Sequence, residues 1–296
     1  MLRRKTLASE SRIEGTGLHS GESVRMRLLP ADAESGIVFV RTDAGGLEIP
    51  ADLSFAGPSF YATVLGREGV TVSTVEHLMA ALYALGVDDA RIELDGPEVP
   101  ILDGSSRPFV DRILAAGLVE LPVVRQYLTI VRPIEVRDED KTISVHPCGE
   151  FRVTYGIEFP HPALGYQELT ASLWSREAFA EKLAPARTFT FERDVEALRR
   201  KGLARGGSLE NAVVVGDRGI LNGELRFPDE FVRHKMLDLT GDLSLLGHPL
   251  RGHVVAYRAG HDLHGRLARK IRASRESWYL APWSDELSDR TSTARA

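Results

Sequence analysis

The residues best placed to do chemistry concentrate in one stretch, Phe231-Val232-Arg233-His234-Lys235-Met236-Leu237-Asp238-Leu239-Thr240-Gly241-Asp242. His234, Asp238 and Asp242 recur every four residues, so on an α-helix they form one stripe that drifts only about 40° per step. Helices inside soluble enzymes normally bury apolar residues along such a stripe. Here an imidazole and two carboxylates hold it, with Lys235 on the flank. A His followed one turn later by a carboxylate offers two metal ligands from a rigid element. An exposed helix face with an i,i+4 His–Asp pair has the same pattern and is common, and on this stretch alone that plainer reading is favoured. A second pair, Glu76-His77, opens the apolar run Leu78-Met-Ala-Ala-Leu-Tyr-Ala-Leu85. A place in the first helical turn helps keep His77 neutral, as a metal ligand must be. Glu76 also stands three residues after Ser73, the spacing of a capping box. Capping and acid–base work exclude each other, because one carboxylate cannot face both the helix amides and a reacting group.

Composition limits which metal chemistry is available. Cys148 is the only cysteine, so no intrachain disulfide forms and a metal site must use imidazole and carboxylate. Cys148 itself reads as a small buried hydrophobe. The 296 residues are 43% hydrophobic and 27% charged, enough for two compact domains of about 150 residues each. A net charge of −5 gives no global basic field for nucleic acid or an anionic membrane. The basic start Met1-Leu2-Arg3-Arg4-Lys5 has no apolar run behind it, and no stretch approaches the roughly 20 apolar residues of a membrane span. These features point to a cytoplasmic protein, and nothing among them argues for an oligomer.

The elements that must carry these residues follow from periodicity. Residues 22–29 and 36–40 read as strands. Before them lies Gly15-Thr-Gly-Leu-His19-Ser-Gly21, which lacks a following helix and so is a β-turn rather than a phosphate loop. Residues 73–85 form the clearest helix, with Ser73 as its cap and Gly86 closing it. A second helix is expected over 108–116, ending at Gly117. The Pro-bearing segment 119–127 marks a boundary, giving domains 1–124 and 125–280 and a polar tail, 281–296. Beyond the boundary come strands near 127–137, 142–146 and 151–159, helices near 175–184 and 191–201, and a buried strand at 212–216. The helix holding His234 follows, with Asp229 as its cap, and then a strand over 252–257. This grouping implies an α+β architecture rather than regular βαβ alternation.

Several separated pieces together resemble one family. They are Ser73-Thr-Val-Glu-His77-Leu, Phe231-Val-Arg-His-Lys-Met-Leu-Asp238 with Gly241-Asp242, and Ala259-Gly-His261. Pro97-Glu-Val-Pro-Ile-Leu-Asp-Gly104, Gly15-Thr-Gly-Leu-His19 and Ala186-Arg-Thr-Phe189 accompany them. In this order, over roughly residues 2–280, they resemble the UDP-3-O-acyl-N-acetylglucosamine deacetylases, zinc amidases of lipid A synthesis. The resemblance implies two similar domains, each a mainly antiparallel sheet with two helices, the helices sandwiched between the sheets. It implies His77, His234 and Asp238 as Zn2+ ligands, a set that iron(II) also fits, with an open position for water. Glu76 becomes the general base, His261 a cationic catalytic group, Asp242 its hydrogen-bond partner, and Thr188 an oxyanion contact. Lys235, Lys141, Phe159, Glu158, His19 and Thr63 become substrate contacts: Lys141 for the diphosphate, Glu158 and Phe159 for the uracil. Tyr61, Thr190 and Arg205 depart from the family pattern near the acyl passage. The remaining histidines, His146, His161, His248, His253 and His264, read as solvated or core side chains.

The function so implied is hydrolysis of the N-acetyl group of a small UDP-acyl-aminosugar by a monomer, with no nucleic-acid partner. A nucleotide-sugar binding protein on the same fold would lack at least one catalytic residue, and none is lost. A zinc hydrolase for another amide is the other alternative, and no His-Glu-x-x-His helix is present to support a metalloprotease.

Overall fold

The computed structural model describes residues 1–59, 61–173 and 175–283. In the first half, the strands Ser11–Thr16, Ser23–Leu29, Ala90–Leu94, Ile37–Arg41 and Leu47–Pro50 lie side by side in that order. Neighbours are antiparallel except Ala90–Leu94 and Ile37–Arg41, which run parallel. Strict alternation shows why this sheet has one inner face: Val24, Met26 and Leu28 are buried, while Arg25 and Arg27 point to solvent. Two helices belong to this half, α1 (Glu76–Leu85) and α2 (Arg107–Ala116).

The chain leaves the strand Leu118–Val124, which pairs with Arg3–Leu7, and enters Gln126–Ile130 in a different sheet. That second sheet is seven-stranded. Its central strand, Leu250–Tyr257, pairs antiparallel with Lys141–His146 and parallel with both Phe151–Phe159 and Gln126–Ile130. Four helices follow in this half: α3 (Arg176–Lys182), α4 (Glu192–Arg200), α5 (Glu230–Ser244) and α6 (His261–Ala273). A small sheet, Phe189–Phe191 with Val213–Gly216 and Gly219–Ile220, flanks α4. The architecture is α+β with mainly antiparallel sheets.

Helix α5 contacts the strands Phe151–Phe159 and Gly165–Ser172, α6 contacts Ile134–Asp138 and Lys141–His146, and α2 contacts Ser11–Thr16. Helix α1 packs on α5, so helices from both halves meet between the sheets. Leu78, Leu82 and Leu85 of α1 are buried, as are Phe231, Leu237 and Leu239 of α5. Each such side chain contributes about 1.5–3 kcal/mol of hydrophobic stabilisation.

Several expectations need correction. The helix expected from Ser73 starts at Glu76, with Val75 at the cap position and no side-chain cap bond. Ser73 ends a strand instead, and its hydroxyl bonds Pro97 O. Thr74 takes a left-handed φ of 56°, so the chain turns too sharply there for Ser73 to reach the helix amides. Asp229 does stand at the cap position of α5 but makes no cap bond; its carboxylate is taken by Arg233. The strand expected over 127–137 is two, Gln126–Ile130 and Ile134–Asp138, separated by a stretch containing Pro133, which has no amide to donate to a ladder. Helix α6 was not anticipated, although Leu263, His264, Leu267, Ala268 and Ile271 form its buried stripe. At the C-terminal end, Trp278–Pro282 is a strand paired with Gln126–Ile130, and the tail from 284 onward lies outside the described residues. Cys148 is half-buried rather than buried.

Candidate active site and metal centre

Helices α1 and α5 come unusually close where the polar residues are. A Cβ added at Gly241 would lie 2.1 Å from the carbonyl oxygen of Glu76. Only a hydrogen at that position lets the backbones cross there, which sets the start of α1 against the polar stripe of α5. The Ser106 hydroxyl, just before α2, donates to His77 O at 2.6 Å and anchors the same turn from the other side.

His77, His234 and Asp238 gather at this crossing, all buried, with one potential ligand atom from each within 4.8 Å of the others. Asp238 Oδ1 lies 3.2 Å from His234 Nε2 and 3.5 Å from His77 Nε2. Tetrahedral zinc with N and O ligands at about 2.1 Å places its donor atoms about 3.4 Å apart, so these spacings fit. His234 Nδ1 lies 3.0 Å from the carbonyl of Ala186. A carbonyl only accepts, so Nδ1 carries the proton and Nε2 presents a lone pair. Burial pushes the His234 imidazole down to about 4, which keeps it neutral. Asp238 Oδ1 is buried without a hydrogen-bond partner among the described residues, while Oδ2 accepts from Lys235 Nζ at 3.0 Å. Burial would raise the Asp238 carboxyl, but His234, Lys235 and His77 outweigh it and hold the group well below the usual carboxylate range. An anionic oxygen with no donor, facing two imidazoles, is the chemistry of a divalent-cation site.

Two proton-handling groups face this cluster. Glu76 turns away from its own helix, and its Oε2 accepts from the Thr63 amide at 3.0 Å. Burial raises its pKa above the ordinary carboxyl value. His261, the first residue of α6, brings Nε2 to 4.0 Å from Glu76 Oε1 and 3.9 Å from Asp238 Oδ2. Its Nδ1 donates to Asp242 Oδ2 at 2.8 Å. Burial would lower this imidazole, but Asp242, Glu76 and Asp238 outweigh it and raise the pKa to about 9. The two groups are therefore poised oppositely, one able to take a proton and one holding one.

The cavity over this cluster, about 200 Å³, is lined by Glu76, His77, Thr188, His234, Lys235, Asp238, His261 and His19, among others. It adjoins a larger, mostly apolar groove of about 1040 Å³, with which it shares His19, Tyr61, Thr188, Phe189 and Lys235. Phe159 lines only the groove, packed edge-on to Phe189. Thr63 and Asp242 lie on the other side of His261, against a small separate cavity. The Thr63 hydroxyl is taken by Asp242 and its amide by Glu76, so Thr63 braces these two carboxylates and does not line the cavity over the cluster. Lys141 and Glu158 are exposed and line neither cavity; Glu158 accepts from the Tyr257 hydroxyl. Tyr61 stands half-exposed at the junction, its hydroxyl 3.1 Å from Lys201 Nζ. Arg205 lines neither cavity, whereas Ala204 and Thr190 line the groove.

Three buried groups to which the sequence assigns no site role brace this region. Glu98 is fully buried and accepts from the amides of His19 and Ser20 and from the Thr74 hydroxyl, tying the glycine-rich turn to the entry of α1. Glu230 accepts from Arg187 and from the Arg226 amide, fixing the segment that ends in Thr188 against α5. His264 Nδ1 bonds the same Asp242 oxygen, Oδ2, as His261 Nδ1 does. The signal for Glu98 was present, since a carboxylate between two prolines cannot serve a regular element.

Comparison with known proteins gives the family of the chain. Residues 4–273 match the family model described as UDP-3-O-acyl N-acetylglycosamine deacetylase. The chain is 48% identical to the UDP-3-O-acyl-N-acetylglucosamine deacetylase of Myxococcus xanthus, covering 94% of this chain and 89% of that protein. It is 46% identical to the enzyme of that name from Syntrophotalea carbinolica, covering 95% and 91%. With the one from Acidithiobacillus ferrooxidans it shares 45% identity, covering 96% and 95%. The chain belongs to the UDP-3-O-acyl N-acetylglycosamine deacetylase family.

Proposed function

We propose that this protein hydrolyses the N-acetyl group of UDP-3-O-(3-hydroxyacyl)-N-acetylglucosamine, releasing acetate and the free amine, in lipid A biosynthesis. The observation that carries the reading is the facing of Glu76 and His261, 4.0 Å apart, beside the His77–His234–Asp238 cluster. We assign zinc as the resident ion; iron(II) suits the same two-imidazole, one-carboxylate set. When bound, the ion supplies Lewis-acid polarisation of a carbonyl and acidifies water. Glu76, held at Oε2 by the Thr63 amide, takes the proton of the attacking water through Oε1. His261 Nε2, protonated and oriented by Asp242, offers a cationic donor to the oxyanion and the departing nitrogen. Thr188, on the cavity wall, supplies a hydroxyl to the same oxyanion. The C–N bond then breaks as the departing nitrogen takes one proton, either the one Glu76 accepted from water or that on His261 Nε2, leaving the free amine and acetic acid, which ionises to acetate.

The larger groove suits the 3-O-acyl chain. Val195, Ala197, Leu198, Leu209 and Leu221 give it an apolar wall, and its volume is that of a ligand site rather than a packing defect. Lys235 stands between groove and cluster, where an ammonium meets the ester or phosphate oxygens. His19 and Phe159 complete the sugar-side wall. Lys141 and Glu158, at exposed strand ends, reach only the UDP portion projecting from the cavity. We read residues 1–124 and 125–280 as the two domains and the cleft between them as the site. We read the enzyme as a monomer, and a net charge of −5 does not favour a nucleic-acid partner. No helix among the described residues is long and apolar enough to cross a membrane; we place the enzyme in the cytoplasm on its nucleotide-sugar substrate.

The direct test is product formation. Metal-loaded protein should release acetate in a one-to-one ratio with the UDP-linked free amine. Folded, metal-loaded protein that releases none from this substrate contradicts the reading.

A further inference from the structure

Asp242 is held from three directions. Its Oδ1 accepts from the Thr63 hydroxyl, and its Oδ2 lies 2.8 Å from His261 Nδ1 and 2.7 Å from His264 Nδ1. His261 alone of the two imidazoles faces the catalytic cavity; His264 is fully buried, three residues further along α6. The far side of His264 is also engaged, with Nε2 2.9 Å from the Tyr155 hydroxyl. That hydroxyl lies 2.8 Å from the carbonyl of Ala259, in the turn that delivers His261. We infer that His264 is a positioning residue for the deacetylation: it fixes the Asp242 carboxylate so that His261 Nε2 is aimed at the reacting amide.

The argument runs from the chemistry of the acceptor. An ionised carboxylate has no proton to give, so both imidazole nitrogens that touch Oδ2 must donate. With Thr63 on Oδ1, the carboxylate cannot rotate without breaking at least two charge-assisted hydrogen bonds. Were His264 absent, Oδ2 would keep one donor and the carboxylate could swing about its Cβ–Cγ bond, taking the His261 ring with it. A buried imidazole is an expensive way to fill space in a helix stripe otherwise made of Leu263, Leu267, Ala268 and Ile271. A leucine would pack there with no need of partners. Outer partners of this kind change activity by about 10–100-fold when removed.

This inference rests on the deacetylase reading, and the variants below separate the two. His264→Asn keeps a side-chain N–H near the place of Nδ1 and so can still donate to Asp242, whereas His264→Gln extends its N–H towards Tyr155 and leaves Asp242 short of a donor. His264→Leu removes both. In steady-state assays of metal-loaded protein, H264L and H264Q should each lose about 30-fold or more in kcat, with KM within about threefold. H264N should stay within about fivefold of the wild type. Acting through Asp242, the H264Q and H264L losses should shrink to about twofold or less in an Asp242→Ala background. Equal rates for H264N and H264Q in folded protein, or losses that multiply independently with D242A, would overturn the inference. Should H264L fail to fold, the Asn–Gln comparison decides alone. A wild type that releases no acetate overturns the functional reading instead.

Discussion

At the residue scale, the proposed mechanism needs two neighbouring groups in opposite protonation states. Glu76 is raised by burial, and His261 is raised to about 9 despite burial because carboxylates surround it. In the proposed reaction Glu76 must be deprotonated and His261 protonated. Activity should therefore fall as pH drops through the elevated Glu76 value, above the usual carboxylate pKa of about 4.3. It should fall again as pH rises through the His261 value. A kcat/KM profile measures both limbs. Asp242→Asn removes the charge that opposes burial, so the alkaline limb should move to lower pH; a limb that stays in place contradicts the assignment to His261. How much of this was legible varies by residue. His234 and Asp238 announce themselves through i,i+4 spacing, which survives any tertiary context. His77 and His261 carry no such internal spacing and became readable only through the motifs around them. The Thr63 and His264 contacts to Asp242 span 179 and 22 residues, and no local pattern encodes them.

At the element scale, the start of α1 shows a local rule yielding to a site. Ser73 and Glu76 have capping-box spacing, yet neither caps the helix. The left-handed Thr74 sends Ser73 into a strand, and Glu98 holds Thr74 in that turn through its hydroxyl. Glu76 is thereby free for Thr63 and the cleft. Gly241 plays the matching part on α5. A methyl there would collide with the backbone of Glu76, which cannot rotate aside as a side chain can. Gly241→Ala should destabilise the fold by about 1–3 kcal/mol, read from urea unfolding. A displacement of about 1 Å at Glu76 should also cost about 100-fold in kcat. A variant with normal stability and rate would show that the close helix crossing is not needed. Helix α6 hid from a periodicity reading because two of its buried positions, His261 and His264, are polar. Its core stripe therefore looks thinner in the sequence than it is.

At the scale of the whole molecule, the proposed ligand set straddles the two halves of the chain. His77 comes from α1, in the first half, and His234 and Asp238 come from α5, in the second. An ion held by both should tie the halves together and stabilise the native state by mass action, about 2.7 kcal/mol at a hundred times its dissociation constant. Chelation should thus lower Tm by several degrees and zinc should restore it, measured by calorimetry; equal Tm with and without metal contradicts a site shared between α1 and α5. The meeting of these helices is the part of the architecture least visible in sequence. Both read as helices, but nothing in their spacing says they touch; only the shared ligand set that the family resemblance implies puts them together. The central claim is that Glu76 acts on protons while the imidazoles and Asp238 hold the ion. Glu76→Ala tests it most directly, with kcat, metal content and substrate affinity measured on one preparation. The account predicts a fall in kcat of about 100-fold or more, with metal content and affinity near those of the wild type. A variant that keeps its rate, or that loses its metal along with its rate, would contradict it.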